Sequence, residues 1–175
     1  QGWVTPIKPP REKDQSAGII GAGPGGLAAA EQLRRKGYKV TVYDRYDRIG
    51  GLLIYGIPNF KLEKEVVQRR VDLLEQGGVE FHRNFEVGRD ATLQEIRDRH
   101  DAVLIATGVY KARNIKVPGI GLDNVVPALD FLVASNRKSL NDTVPAFDDG
   151  SLDANNKNVV VIGGGHAGCE AALAA

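Results

Sequence analysis

Methionine is absent from all 175 residues, and cysteine occurs once, at Cys169. A single thiol excludes an internal disulfide framework and any cysteine-ligated cluster held by this chain alone, and it suits a reducing, cytoplasmic setting. Without Met, Gln1 is not a translation start. Ala175 falls inside an apparent helix with no stop signal, so the chain reads as a piece of a larger polypeptide. No apolar run approaches the ~20 residues of a spanning helix. The stretch from Gln1 to Ser16 is polar and rich in proline and charge, unlike a secretory signal, so no membrane association is expected. An excess of one charge is also missing: 23 Lys and Arg against 22 Asp and Glu leave a net charge of +1. That balance removes the electrostatic case for a nucleic-acid partner. With 42% hydrophobic and 26% charged residues, the composition is that of one globular domain, or of a domain and part of another.

Glycine, by contrast, is abundant at 21 residues. It clusters at 18–26, 50–56 and 163–168, where backbone must turn tightly or approach a ligand. Between the clusters, strands and helices alternate. Residues 17–20 and 39–43 read as strands around a helix at 25–36 that Gly37 ends. Leu62 to Gln76 has apolar residues at helical spacing (Leu62, Val66, Val67, Val71, Leu73, Leu74) and stops at Gly77-Gly78. Val79 to His82 reads as a short strand. Thr92 and Glu95 have the spacing of a capping box. The continuous apolar run Ala102 to Ala106 predicts a buried parallel strand. Residues 109–157 are loop-rich, with one helix near 127–136. Asn158 to Ile162 predicts a final strand, and Gly165 to Ala175 starts a helix. The expected fold class is α/β, Rossmann-like, with a mainly parallel sheet and the start of a second such unit.

Gly21, Gly23 and Gly26 satisfy G-x-G-x-x-G between an apolar strand and an Ala-rich helix, and Asp44 ends the second strand 18 residues after Gly26. Gly21 permits the tight turn, Gly23 lets backbone approach a pyrophosphate, and Gly26 lets the helix pack closely on the strands. The helix N-terminus offers free N–H groups and positive partial charge to the phosphates. Asp44 would accept hydrogen bonds from ribose hydroxyls and would repel a 2′-phosphate. The spacing predicts a dinucleotide site, FAD and NAD both fitting it. Gly163, Gly165 and Gly168 repeat the pattern behind Val159 to Ile162, but the discriminating second strand would lie past Ala175.

The stretch from Arg48 to Pro58 is glycine-rich and largely apolar, which suits cover for a flat ring, although Gly50-Gly51 also reads as a flexible connector. His166 and Cys169, three apart, lack further ligands and make no metal site; Cys169 reads as a buried packing residue. His82 and His100 read as structural, and Glu63, Lys64 and Glu65 as a solvated helix face. No Ser–His–Asp or paired-carboxylate arrangement supports an acid–base hydrolase, and no side chain is assigned a catalytic role.

The Gly21–Gly26 fingerprint, the run VTVYDRYDRIGGLLIYGIPNFKLEKEVVQRRVDLLEQGGVEF, FEVGRD and VLIATGVYKAR together resemble the small (beta) subunits of NADPH-dependent glutamate synthase. That group is related to dihydropyrimidine dehydrogenase and adrenodoxin-type reductases. The resemblance covers roughly residues 2 to 165. It implies an FAD-binding domain with an inserted NADPH-binding domain. It also implies pyrophosphate contacts at Gly21, Ala22, Gly23, Pro24 and Gly26, with Gly25 among them, and ribose contact at Asp44 beside Arg45. Arg48, Gly51, Leu52 and Ile57 would lie along the flavin, Val87 would hold the adenine through its backbone, and Ala106, Thr107 and Gly108 would return near the FAD. Gly163, Gly165 and Gly168 would bind the nicotinamide nucleotide. Residues 1–15, with Pro6, Pro9, Pro10 and dispersed charges, suit an extended leader lying on a partner surface; on the resemblance, 16–112 are the N-terminal part of the FAD domain, 113–157 a connector and 158–175 the start of the NAD(P) domain.

In the resembled family, hydride passes from NADPH (or NADH) to flavin, and electrons leave through iron–sulfur clusters towards a large electron-accepting subunit in glutamate biosynthesis. The cysteine-rich cluster segment and the later FAD-closing segment are expected to lie outside this chain. GGGHAGCEAALAA looks more like the FAD fingerprint of tRNA-uridine-modifying flavoproteins, a reading that the +1 charge opposes. The expectation is therefore an NAD(P)H-dependent flavin oxidoreductase. The alternatives are a dinucleotide-binding module without turnover of its own and a fragment of another flavoprotein reductase.

Overall fold

The computed structural model describes residues 4–111 and 115–175; the first three residues of the expected leader and 112–114, where the expected connector begins, lie outside the described residues. The chain divides into two compact units, one of residues up to Ile54 with Lys64–Val109, the other of Tyr55–Glu63 with Tyr110–Ala175.

The first unit is built on four parallel strands, β1 (Ser16–Ile20), β2 (Lys39–Tyr43), β3 (Val79–His82) and β4 (Ala102–Ile105), in the order β3-β2-β1-β4. Helix α1 (Pro24–Arg35) connects β1 to β2, α3 (Lys64–Gln76) precedes β3, and α4 (Leu93–Arg99) precedes β4. This is a Rossmann-like α/β fold. Side-chain alternation along the strands divides the core into two layers. Ile19, Val40 and Val42 pack with Leu27 and Ala30 of α1 and Val71 and Leu74 of α3. On the opposite face, Tyr43 and Ile96 of α4 enclose Ala91, with Ile20, Phe85, Val87 and Val103 against them.

Local chemistry sets the element ends. Pro24 occupies the first turn of α1, where its missing N–H costs nothing. At the other end Gly37 (φ +89°) closes a Schellman motif, Tyr38 N–H donating to Leu33 and Gly37 N–H to Arg34. The capping box of α4 forms as its spacing predicts: Glu95 N–H donates to Thr92 Oγ1, and Thr92 N–H to the Glu95 carboxylate.

The described part of the leader packs on its own unit. Lys13 N–H donates to the Gly37 carbonyl, Lys39 N–H to that of Gln15, and Ile7 joins the core. Arg34 gathers this region, donating Nε to the Gly77 carbonyl at 2.6 Å and pairing both terminal nitrogens with Glu12.

Two predicted strands differ. Ala102–Ile105 pairs with β1, yet Leu104 and Ile105 are exposed and the strand is not buried; among the described residues nothing pairs with its other edge. Val159 to Ile162 forms no strand and is exposed, because an apolar segment becomes a strand only where a neighbour takes up its backbone hydrogen bonds. The Gly50–Pro58 stretch contains a one-turn helix, α2 (Leu52–Tyr55), that periodicity does not reveal.

The second unit holds α5 (Ala128–Ser139), α6 (Pro145–Asp148) and α7 (His166–Ala174). Within it Asn136, 3% exposed, donates Nδ2 to the carbonyls of Tyr55 and Leu132, and Lys61 pairs with Glu170 at 2.8 Å.

Candidate dinucleotide site

The chain leaves β1 through Gly21, whose φ of +106° is open to glycine and strained for other residues. A Cβ there would lie 2.5 Å from the Ala106 carbonyl oxygen, so Ala106 and Thr107 back this turn directly. Ala106 N–H donates to Ile20, which fixes the exit of β4 beside the exit of β1. At Gly26 a Cβ would overlap the Gly21 carbonyl oxygen. The two glycines thus bring α1 onto the turn at a distance no side chain allows. Gly23, the N-cap of α1, and Gly25 are different: nothing lies within 4 Å of a Cβ at either. Their faces are open, in the place where backbone N–H groups at a helix start can receive phosphate.

Asp44 lies at the end of β2, 7% exposed. Its Oδ2 accepts from Ala22 N–H at 2.6 Å and its Oδ1 from Tyr46 N–H at 2.9 Å. The carboxylate is therefore part of the turn's scaffold, and each oxygen keeps a second lone pair with which to accept from a ribose hydroxyl. Asp44 N–H and carbonyl bond to His82 and Phe85, tying this corner to β3 and the segment after it. Arg45 is exposed and lies over the Tyr46 ring, and Arg48 pairs with Asp47 at 3.0 Å.

The Gly50 loop is stitched to the same turn, Gly50 N–H donating to the Ala22 carbonyl at 3.0 Å. Gly50 (φ +135°) packs so closely on Ile54 and Val67 that a Cβ would come within 3 Å of both. Gly51 is buried and Leu52 half-buried beside it. Val87 belongs to the Tyr43 cluster, in an isolated bridge with Ala91. Gly21 to Gly26, Asp44, Gly50, Gly51, Ala106 and Thr107 are thus brought to the carboxyl ends of β1, β2 and β4, where open α/β sheets bind ligands. Gly108 (φ +71°) continues that exit, and Ile57 lies in the second unit's Tyr55–Glu63 segment.

The second fingerprint repeats the first in backbone detail. Gly163 has φ +120°, Gly165 is the N-cap of α7 with φ −79° and ψ 179° against −74° and −177° at Gly23, and a Cβ on Gly168 would overlap the Gly163 carbonyl oxygen. The turn forms although the strand before it does not. Cys169 is exposed and not a packing residue.

Two structural details escape sequence reasoning. His100 Nε2 lies 2.9 Å from Tyr43 Oη, with its ring against Gly18. Burial first, and then the Arg99 guanidinium, hold its imidazole below the ordinary 6.5. Lys64 is 7% exposed at the start of α3 and not on a solvated face, and it donates Nζ to the Leu53 carbonyl at 3.1 Å. Desolvation lowers its pKa. The signal for it was the position of Lys64 three residues before Val67 and seven before Val71, on the apolar face of α3.

Residues 16–175 match the pyridine nucleotide-disulphide oxidoreductase family. The chain is 67% identical over 165 residues to the glutamate synthase [NADPH] small chain of Azospirillum brasilense, covering 94% of this chain and 34% of that protein. It is 64% identical to a putative glutamate synthase [NADPH] small chain of Cereibacter sphaeroides, covering 94% and 39%. It thus spans little more than a third of the length of these curated relatives. Among solved structures, FprA of Mycobacterium tuberculosis in complex with NADPH superposes with a TM-score of 0.64 at 25% identity, covering 71% of this chain and 29% of that one.

Proposed function

This chain belongs to the pyridine nucleotide-disulphide oxidoreductase family, and from that premise we propose that its first unit binds FAD within an NAD(P)H-dependent flavin oxidoreductase of the glutamate synthase small-chain type. The observation that carries the reading is the Gly21–Gly26 turn, locked by two glycines and held by Asp44, with the open Gly23 face at the start of α1. Those residues suit a dinucleotide: N–H groups for the pyrophosphate, a fixed carboxylate for the ribose, and the buried Gly50-Gly51 backbone with Leu52 for close cover of the ring. Bound FAD supplies the capacity to accept a hydride from NAD(P)H and release electrons singly. The chain's own residues bind and orient it, Asp44 fixing the ribose end and the Gly50 loop the ring end.

On this reading residues 16–112 are the N-terminal part of the FAD domain, 113–157 a connector and 158–175 the start of the NAD(P) domain. The second turn, Gly163 to Gly168, serves the nicotinamide nucleotide; its match to the first turn's backbone supports this. Iron–sulfur clusters would take cysteine ligands outside these residues, which hold only Cys169, and would pass electrons to a large subunit in the cytoplasm.

The test is a visible spectrum of the purified protein after incubation with FAD and removal of the excess. Retained flavin bands that bleach anaerobically with NADPH are the expected result. A folded protein that keeps no flavin overturns the FAD reading. Retained flavin that NADPH leaves oxidised reduces the chain to a binding module without turnover.

A further inference from the structure

The charged groups Asp44 and Lys64 are both 7% exposed and lie 20 residues apart in sequence. They are joined by an unbroken line of hydrogen bonds through the cofactor loops. Lys64 Nζ donates to the Leu53 carbonyl at 3.1 Å, Leu53 N–H to the Gly50 carbonyl at 3.1 Å, Gly50 N–H to the Ala22 carbonyl at 3.0 Å, and Ala22 N–H to Asp44 Oδ2 at 2.6 Å. At each of the three intermediate residues the N–H faces the carboxylate end and the carbonyl faces the ammonium end. The line therefore starts on a cation and ends on an anion with no donor or acceptor reversed.

Burial of an ammonium is costly unless a fixed acceptor meets it. Lys64 sits on the first turn of α3, and Val67 one turn later packs against Gly50. Helix α3 therefore holds the Gly50 loop twice, by apolar contact at Gly50 and by the ammonium at Leu53. The loop in turn holds the carbonyl of Ala22, the residue whose N–H Asp44 holds from the other side. We propose that Lys64 is a positioning residue of the dinucleotide site, anchoring the Gly50–Leu53 loop and, through it, the Ala22 turn in the arrangement that receives the cofactor. It touches no cofactor atom in this scheme and acts by fixing the loop. The affinity part of the proposal rests on the FAD reading above, and the loop part does not.

The test uses the full chain with Lys64→Met, which keeps an unbranched side chain out to the ε position and removes the donor, and Lys64→Arg, which keeps a charged donor. In flavin-free protein, amide hydrogen exchange at Gly50 and Leu53 is expected to quicken about tenfold in Lys64→Met, while Ile19 and Val42 in the sheet keep the wild-type rate. The Kd for FAD is expected to rise about tenfold, the scale of one charge-assisted hydrogen bond, and Lys64→Arg to recover most of it. Wild-type exchange at Gly50 and Leu53 would overturn the proposal, as would acceleration spread evenly over the sheet or an arginine variant as weak as the methionine one. If Lys64→Met does not fold, Lys64→Gln is read by the same exchange and affinity criteria. If the wild-type protein binds no FAD, the FAD reading fails while the exchange measurement still decides the loop.

Discussion

Alanine at Gly23 and alanine at Gly26 are expected to have opposite signatures, although the two positions lie in one turn. A Cβ on Gly26 overlaps the Gly21 carbonyl oxygen and comes within 3.0 Å of its carbon and 3.4 Å of Ile19 Cγ2. Two of these atoms are backbone, held by the Gly21 N–H bond to Tyr43, so α1 has to move off the sheet. Overpacking of this kind costs about 1–3 kcal/mol, and rigid backbone places it near 3. At roughly 2–4 °C per kcal/mol for a chain of this size, Gly26→Ala should lower Tm by about 6–12 °C. At Gly23 the backbone is extended (φ −74°) and nothing lies within 4 Å of a Cβ. The small N-cap preference for glycine over alanine is offset by the entropy alanine removes from the unfolded chain, leaving a change within about 0.5 kcal/mol. The methyl group instead stands where a pyrophosphate must meet backbone, so FAD affinity should fall by more than about tenfold, a loss above about 1.4 kcal/mol. Thermal unfolding by circular dichroism in flavin-free protein, paired with FAD titration, separates the two. Wild-type affinity in Gly23→Ala, or wild-type Tm in Gly26→Ala, would refute the reasoning.

A Cβ on Gly18 would lie 2.5 Å from His100 Cδ2, so Gly18→Ala should cost about 1–3 kcal/mol in urea unfolding, and His100→Ala in the same chain should recover part of it. His100 has a depressed pKa, so the folded protein holds the neutral ring while the unfolded chain binds a proton below about 6.5. Its contribution is complete above that pH and is lost as pH falls through the folded value. Tm should decline on acidification from pH 7 to pH 5, and His100→Gln should flatten that decline. Leu74, 1% exposed between α3 and the sheet, should cost about 2–5 kcal/mol on truncation to Ala, measured by chemical denaturation.

Much of the first unit was legible because its signals are local. The helix caps at Gly37 and Thr92, the β-branched run at β2 and the positive-φ glycines each act over a few residues, and each is where the sequence places it. Asp44 was legible as the acid ending β2, but its direction was not. That its Oδ2 reaches Ala22 N–H depends on the register of β1 against β2, which only pairing sets. Lys64 reads as one of three charges at a helix start; it is buried because the Gly50 loop, eleven residues earlier at Leu53, folds over that turn.

Residues 159–161 and 102–105 make the same point from the other side. Val159 to Val161 and Ala102 to Ile105 are similar apolar runs, yet only the second is a strand, because β1 takes up its backbone. The sequence by itself determined the turns, the caps, the order of the four strands and the longer helices of the first unit, and the two glycine fingerprints. Steric freedom at glycine and side-chain periodicity operate within a turn or two of chain. The tertiary structure alone decided which charges are buried, which apolar strand finds a neighbour and which carbonyl each donor meets. Those outcomes depend on segments many residues apart in sequence becoming neighbours in space.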